Sequence, residues 1–194
     1  MLYVIMGKSS SGKDTIYRKL MEDNELKLNK IITYTTRPAR AGEVEGNEYH
    51  FVDEAKMNEM DRNGKIIEKR AYDTVYGVWN YFTADDENVK IDRNNYMVIG
   101  TLDSYEQLRA YYGEKKVMPI YIEVEDGERL ARALEREREQ DEPKYSEMCR
   151  RYLADEKDFS AKRLEKLGIK SKYFNNDIQQ CMNQIKEQIL MTSD

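Results

Sequence analysis

The chain has 194 residues, enough for one complete hydrophobic core with room for an inserted segment. Its net charge of −5, with 36% charged residues, is typical of a globular protein and does not favour a general nucleic-acid-binding role. No apolar run approaches the roughly 18 residues of a membrane span, and no signal peptide is recognisable. Cys149 and Cys181 lie far apart and His50 is the single histidine, so we expect a reduced, cytoplasmic protein without a structural metal or a membrane partner.

The first fifteen residues carry a phosphate-binding pattern. Residues 1–6 form an apolar run that predicts a buried strand, and a helical pattern follows from residue 16. Between them, Gly7, four residues, Gly12 and Lys13 have the spacing of a phosphate-binding loop. Main-chain N–H groups and the helix start would bind the phosphates of a nucleotide, with Lys13 at the β- and γ-phosphates. The predicted nucleotide-site residues of this stretch are Gly7, Ser9, Ser10, Ser11, Gly12, Lys13, Asp14 and Thr15. The alternative is a glycine- and serine-rich turn that binds nothing.

Asp14 departs from the usual loop, in which a Ser or Thr follows the lysine and its hydroxyl binds Mg²⁺. A carboxylate is a good ligand for a hard cation, so one interpretation makes Asp14 a direct Mg²⁺ ligand. The other is that Asp14 only stabilises the first helical turn through the helix dipole. The sequence leaves both interpretations open.

A second candidate anion site lies beyond the first helix. Arg37 and Arg40 flank a proline, which restricts this segment to an extended or turned shape. Two guanidinium groups presented together suit a monophosphate, and Tyr49, on an alternating strand, can add a further donor. In the alternative, this segment is a solvated loop whose arginines pair with Glu43 or Glu45.

The remaining chain alternates between strand and helix patterns, which implies a parallel sheet covered by helices, with ligands at the carboxyl ends of the strands. The predicted strands lie at residues 31–35, 49–52, 65–72, 75–82, 96–102, 117–124 and 170–174. The predicted helices lie at residues 53–62, 103–112, from 126, 145–167 and 178–191. We therefore predict an α/β core from residues 1–32 and 84–194, with a small, mostly β lobe inserted at residues 33–83.

Arginines concentrate in the predicted helices on either side of a break near residue 143. Arg132 and Arg136 are four residues apart and share a helix face. One interpretation is a solvated helix with ion pairs to neighbouring glutamates, namely Glu135, Glu137 and Glu139. The other, a lid at about residues 136–148, is implied by resemblance to a known family.

The chain resembles the guanylate kinase family over nearly its whole length. The most specific part is the run from Thr36 to Val44 that continues to Tyr49 (TTRPxRxGE…G…YxF), joined by Glu68 and Asn175-Asn176-Asp177. This resemblance implies a P-loop kinase fold with a monophosphate-binding lobe and an arginine-containing lid. It also implies transfer of a phosphoryl group from Mg-ATP to GMP, in a monomer or weak homodimer with small nucleotides as partners.

The resemblance also implies roles for single residues. Glu68 would accept hydrogen bonds from the guanine ring, and Asn175 or Asn176 would lie near adenine. The implied acceptor site comprises Thr33, Arg37, Arg40, Tyr49, Glu68, Tyr76 and Val78. The implied catalytic residues are Lys13, Arg37, Arg136, Arg138 and Arg150, with Arg132 and Arg151 as further candidates.

Several positions depart from the family pattern near the base. Val78 stands where the family has Ser or Thr, Thr33 where it has Ser, and Gly100 and Leu102 where it usually has aspartates. These departures leave two alternatives open. One is a kinase of the same fold acting on another monophosphate or a phosphorylated sugar, and the other is a catalytically silent binding module, although the intact Lys13 disfavours the latter.

Overall fold

A computed structural model describes residues 1–40, 42–74, 77–85 and 89–193. The strands are β1 Leu2–Met6, β2 Leu28–Lys30, β3 Tyr34–Thr35, β4 His50–Phe51, β5 Ile66–Thr74, β6 Gly77–Ala84, β7 Asn95–Ile99, β8 Val117–Glu123 and β9 Lys172–Phe174. The helices are α1 Lys13–Met21, α2 Glu54–Arg62, α3 Leu102–Tyr112, α4 Asp126–Arg138, α5 Tyr145–Asp158, α6 Ala161–Lys166 and α7 Ile178–Ser193. Within the described residues, no helix is long and apolar enough to cross a bilayer.

The larger sheet is parallel, with the strand order β2-β7-β1-β8-β9. Its central strand β1 is fully buried, because both faces of the sheet are covered. Leu2 and Val4 point into a core formed with α3 and α6, whereas Tyr3 and Ile5 point into a core formed with α1 and α7. This arrangement confirms the predicted α/β fold and places the loop after β1 at the carboxyl edge of the sheet.

The smaller sheet has the order β4-β3-β6-β5, in which β6 runs antiparallel to both of its neighbours. Helix α2 covers one face, where Met57 packs near Phe82. The helix starts as its sequence predicts, because the Asp53 carboxylate accepts a hydrogen bond of 2.7 Å from the Lys56 N–H. The β-rich segment predicted near residues 33–83 therefore forms a sheet of its own.

Two predicted elements differ from the structure. The strand predicted at residues 31–35 is wrong for residues 31–33, because the chain leaves the larger sheet after Lys30 and enters the smaller sheet at Tyr34. The helix predicted at residues 145–167 is also wrong as a single element. It ends at Asp158, and Ser160 has an extended backbone (φ −62°, ψ 148°) from which α6 begins.

Candidate active site

The loop between β1 and α1 requires both of its glycines. A Cβ atom at Gly7 would lie 2.6 Å from the Ile122 carbonyl oxygen, and one at Gly12 would lie 2.4 Å from Asn175 Nδ2. Gly12 also has a φ of 82°, a conformation that glycine adopts without a steric penalty. The loop therefore folds into a tight cradle that side chains at these positions would fill.

The interior of the loop contains polar groups without protein partners. The Oγ atoms of Ser10 and Ser11 are buried and have no hydrogen-bond partner among the described residues. An unpaired buried polar group costs about 1–3 kcal/mol, so these hydroxyls are candidates for contacts with a ligand. Asn175, expected near adenine, is buried and donates a hydrogen bond of 2.8 Å to the Ser11 carbonyl. This hydrogen bond stabilises the phosphate-binding loop.

Lys13 and Asp14 form the first turn of α1, directly after the loop. The Lys13 side chain is 19% exposed, and its Nζ lies 3.4 Å from Asp14 Oδ2. The Asp14 side chain is 76% exposed, so its carboxylate is accessible to a cation. A lysine and a carboxylate thus stand together beside a helix N-terminus, where phosphates are favoured.

A cavity of about 1270 Å³ opens beside these two residues. Its walls come from the start of α1, from the segment after β2, from the smaller sheet and from the start of α5. The residues predicted for the site that line it are Lys13, Asp14, Thr33, Tyr49, Arg150 and Arg151. The structure therefore brings the predicted phosphate-donor and acceptor sides to one shared cavity.

Aromatic side chains form the acceptor side of this cavity. Tyr49 and Tyr72 both make edge-to-face contacts with Tyr81, at ring-centroid distances of 5.6 Å. Trp79 lines the same wall. Burial raises the pKa of the Tyr49 phenol, which therefore stays a neutral hydrogen-bond donor at physiological pH. Such a wall suits the flat face of a base or sugar.

Arg37 differs from its expected position. It is 3% exposed, does not line the cavity and forms a bidentate pair with Glu43 at 2.7 Å for both bonds. Among the described residues, further bonds to Pro38 and Tyr81 leave one of its five N–H groups unassigned. This pairing raises the pKa of Arg37 and lowers that of Glu43 to about 2. For Arg37, the structure therefore contains the alternative predicted from the sequence, a pair with Glu43.

Glu68 is buried, and its carboxylate has partners within the smaller sheet. It accepts a hydrogen bond of 2.8 Å from Thr83 Oγ1. Arg70 donates from Nε at 3.1 Å and from Nη2 at 3.3 Å. Glu68 itself does not line the cavity, whereas Arg70 does. Arg70 was not predicted from the sequence, although strand alternation places residues 68 and 70 on the same face of a strand.

A cluster of charged residues joins the phosphate-binding loop to α4 and α5. Lys8 Nζ lies 2.7 Å from a carboxylate oxygen of Glu156, which also pairs with the buried Arg129. The Ser9 N–H donates a hydrogen bond of 2.7 Å to Asp155. The loop is thereby tied to both helices on either side of the predicted lid.

Comparison with known proteins identifies the family. The guanylate kinase family model matches residues 1–191. The chain belongs to the guanylate kinase family. A guanylate kinase of Wolbachia pipientis is 30% identical over 164 residues, which cover 82% of this chain and 76% of the relative.

Other guanylate kinases match shorter stretches. The relative from Syntrophomonas wolfei is 44% identical over 77 residues, so the chain spans 39% of its length, and the match to the Mycoplasmoides gallisepticum relative spans 49%. The crystal structure of guanylate kinase from Anaplasma phagocytophilum covers 97% of this chain with a TM-score of 0.60 and 22% identity, and 85% of that structure is matched. This structural likeness supports the fold.

The other residues that the guanylate kinase resemblance singled out are distributed unevenly. Arg40 is exposed and offers its main-chain N–H to Glu43. Val78 is 47% exposed and does not line the cavity. Tyr76 lies outside the described residues. These three positions stay predictions for the acceptor site.

The lid arginines divide into two groups. Arg150 and Arg151 line the main cavity, and both contact the Glu147 carboxylate. Arg136 lines a neighbouring cavity of about 610 Å³ at the connection between α4 and α5, and Arg138 is exposed at the end of α4. The predicted arginines of α5 thus line the main cavity, whereas Arg136 and Arg138 of α4 do not.

Proposed function

We propose that the chain is an ATP-dependent guanylate kinase, which transfers the γ-phosphoryl group of Mg-ATP to GMP and yields ADP and GDP. The observation that supports this proposal is the single cavity lined by Lys13 and Asp14 on one side and by Thr33 and Tyr49 on the other. A donor and an acceptor bound there would lie next to each other. Direct transfer requires this proximity, because it replaces an encounter in solution with a step inside one complex.

On the donor side, the loop amides and Lys13 would hold the ATP phosphates. Phosphoryl transfer depends mainly on positioning and on neutralising charge, so it requires no covalent residue. Lys13 would neutralise the β- and γ-phosphates, and the buried hydroxyls of Ser10 and Ser11 would gain partners from the ligand. Arg150 and Arg151, with Arg136 and Arg138, would add positive charge as the lid closes.

Asp14 fits the role of the Mg²⁺ ligand. Mg²⁺ is usually held by one or two carboxylates together with substrate phosphates, and Asp14 presents an exposed carboxylate beside the phosphate loop. When bound, the ion supplies charge neutralisation on the transferred phosphoryl group. Asp14 would position that charge, and Lys13 limits the repulsion between the Asp14 carboxylate and the phosphates.

On the acceptor side, Tyr49 and Thr33 would donate hydrogen bonds to the acceptor, and Glu68 would read the guanine base. We include Arg40, Tyr76 and the unassigned N–H of Arg37 as phosphate ligands in this proposal. Arg37 would donate only this one N–H unless Glu43 releases it. Val78 would border the base without offering a hydrogen bond.

The decisive test is steady-state turnover with Mg-ATP against a panel of acceptors: GMP, AMP, dUMP and ribose 5-phosphate. We expect GMP to give the highest kcat/KM. If ADP forms with none of these acceptors, the proposed function is wrong. If AMP, dUMP or the sugar phosphate equals GMP, guanine recognition by Glu68 is wrong.

A pair of lysine variants links turnover to the loop. Lys13→Met should lower kcat by roughly 100-fold or more, because it removes a cation aimed at the transferring group. Lys19→Met removes an exposed lysine from the same helix and should leave kcat unchanged. Equal activity of the two variants would contradict the assignment of Lys13.

A further inference from the structure

Glu68 has an unusual partner for a carboxylate proposed to read a base. Its side chain is 1% exposed, and that of Arg70 is 19% exposed. The Nε and Nη2 atoms of Arg70 contact different oxygens of the carboxylate, Oε2 at 3.1 Å and Oε1 at 3.3 Å. Two parallel N–H groups therefore meet the two oxygens side by side, which is the bidentate geometry that arginine forms with carboxylates.

A guanine base would use the same face of Glu68. Its N1–H and its 2-amino group are also two parallel donors. Their spacing is close to that of the two N–H groups of the arginine guanidinium. Thr83 Oγ1 also donates a hydrogen bond to Glu68 Oε1 and so uses a further acceptor position of the carboxylate. A carboxylate offers about four acceptor positions in total, so Glu68 lacks the capacity to hold both donor pairs in bidentate fashion.

We propose that Arg70 is a specificity-determining residue that competes with the base for Glu68. The two N–H groups of Arg70 lie on the face of Glu68 that guanine would require, and GMP would have to displace them to be recognised. This inference rests on the proposed function, because it takes Glu68 as the group that recognises guanine.

The position of Arg70 supports displacement rather than a permanent structural pair. Arg70 lines the cavity and its side chain is 19% exposed, whereas Glu68 does not line the cavity. Tyr49 and Asp73 line the same cavity, and the charge of Arg70 acts on the Tyr49 phenol. A displaced Arg70 would therefore remain within the site, beside the acceptor.

The competition has a measurable consequence. A ligand that binds only the open form has its apparent affinity reduced by the fraction of molecules in that form. Weakening the Arg70 fork should raise that fraction and lower the KM and Kd for GMP. AMP presents an acceptor at N1 and has no 2-amino group, so it cannot use the released Glu68 face and should gain nothing.

The test compares Arg70→Lys with the wild-type chain. Lysine keeps the positive charge beside the buried carboxylate but cannot present two parallel N–H groups. We expect the KM for GMP and its Kd by calorimetry to fall about threefold to tenfold. The KM values for ATP and AMP should stay unchanged. Lys69→Met is the matched control, because it removes a cation from the same strand that pairs with Asp61 and not with Glu68.

A second variant, Arg70→Gln, repeats the test with a neutral side chain and a single amide group. The proposed competition is wrong if neither variant has a lower Kd for GMP than the wild type. It is also wrong if the affinities for AMP and GMP increase by the same factor. That result leaves the proposed function standing as long as the wild type phosphorylates GMP. A wild-type chain without GMP turnover would instead overturn the proposed function, and the inference with it.

Discussion

The pair formed by Arg37 and Glu43 makes the stability of the fold depend on pH. The hydrogen bonds from Arg37, followed by that from the Arg40 N–H, lower the pKa of Glu43 from 4.5 to about 2. The unfolded chain therefore takes up a proton at a higher pH than the folded chain does. The stabilisation is fully present above pH 4.5 and is lost as the pH falls through about 2.

Glu43→Gln should accordingly lower the urea midpoint at pH 7, because Arg37 stays buried without its counter-charge. The difference from the wild type should shrink below pH 4.5 and vanish near pH 2. Glu59→Gln, which removes an exposed partner of Lys56, serves as the control and should match the wild type at both extremes. A difference between Glu43→Gln and the wild type that is constant with pH would rule out this account of the pair.

At the scale of elements, Arg129 connects α4, α5 and the phosphate-binding loop. It is 1% exposed, stacks on Tyr152 with 4.0 Å from its Cζ to the ring centroid, and pairs with Glu156, which also holds Lys8. Removing one partner of a buried charge cluster leaves the others uncompensated. Arg129→Met should therefore destabilise the fold by about 3 kcal/mol, measured as the free energy of unfolding in urea.

The same variant should raise the KM for ATP more than the KM for GMP, because the cluster contacts the loop after β1 and not the smaller sheet. Arg163→Met is the matched control, since Arg163 pairs with Asp103 and Asp158 at the exposed surface. Exposed pairs contribute about 1 kcal/mol or less. Equal losses in the two variants, or equal increases of both KM values, would contradict the coupling of Arg129 to the loop.

At the scale of the whole molecule, sequence patterns correctly predicted those features of the fold that depend on residues close together in the chain. The loop glycines and the strand–helix alternation depend on neighbouring residues, and the structure confirms the resulting α/β fold. The change of sheet between Lys30 and Tyr34 could not be predicted in this way. It depends on the strands with which β2 and β3 pair, and those partners, β7 and β6, lie far along the chain.

The candidate site also contains contacts that local sequence patterns could not predict. Lys13 and Tyr49 reach one cavity as expected from their motifs, but the fork of Arg37 turns to Glu43 because a carboxylate six residues away is within its reach. The pairing of Lys8 with Glu156 joins residues 148 positions apart, which no local pattern reveals. The pair of Arg37 with Glu43 was thus one of the alternatives that the sequence offered but could not decide, whereas the pair of Lys8 with Glu156 could not be predicted from the sequence.

The packing of α7 against the larger sheet makes the two thiols differ in reactivity. Cys181 is 0% exposed in the core between α7 and the sheet, and burial raises its pKa to about 11. Cys149 is exposed on α5. Because the thiolate is the reactive form, an aromatic disulfide reagent at pH 8 should label one thiol per chain rapidly and the second only as the fold opens.

Cys149→Ser should remove the rapid phase and leave the slow one, and Cys181→Ser should do the reverse. In urea above the unfolding midpoint both thiols of the wild-type chain should react at similar rates, because the burial of Cys181 is gone. Two rapid thiols in the native wild-type chain would mean that α7 does not cover β1 and β9. Since Asn175, which supports the phosphate-binding loop, lies between β9 and α7, that result would also remove the structural basis of the candidate site.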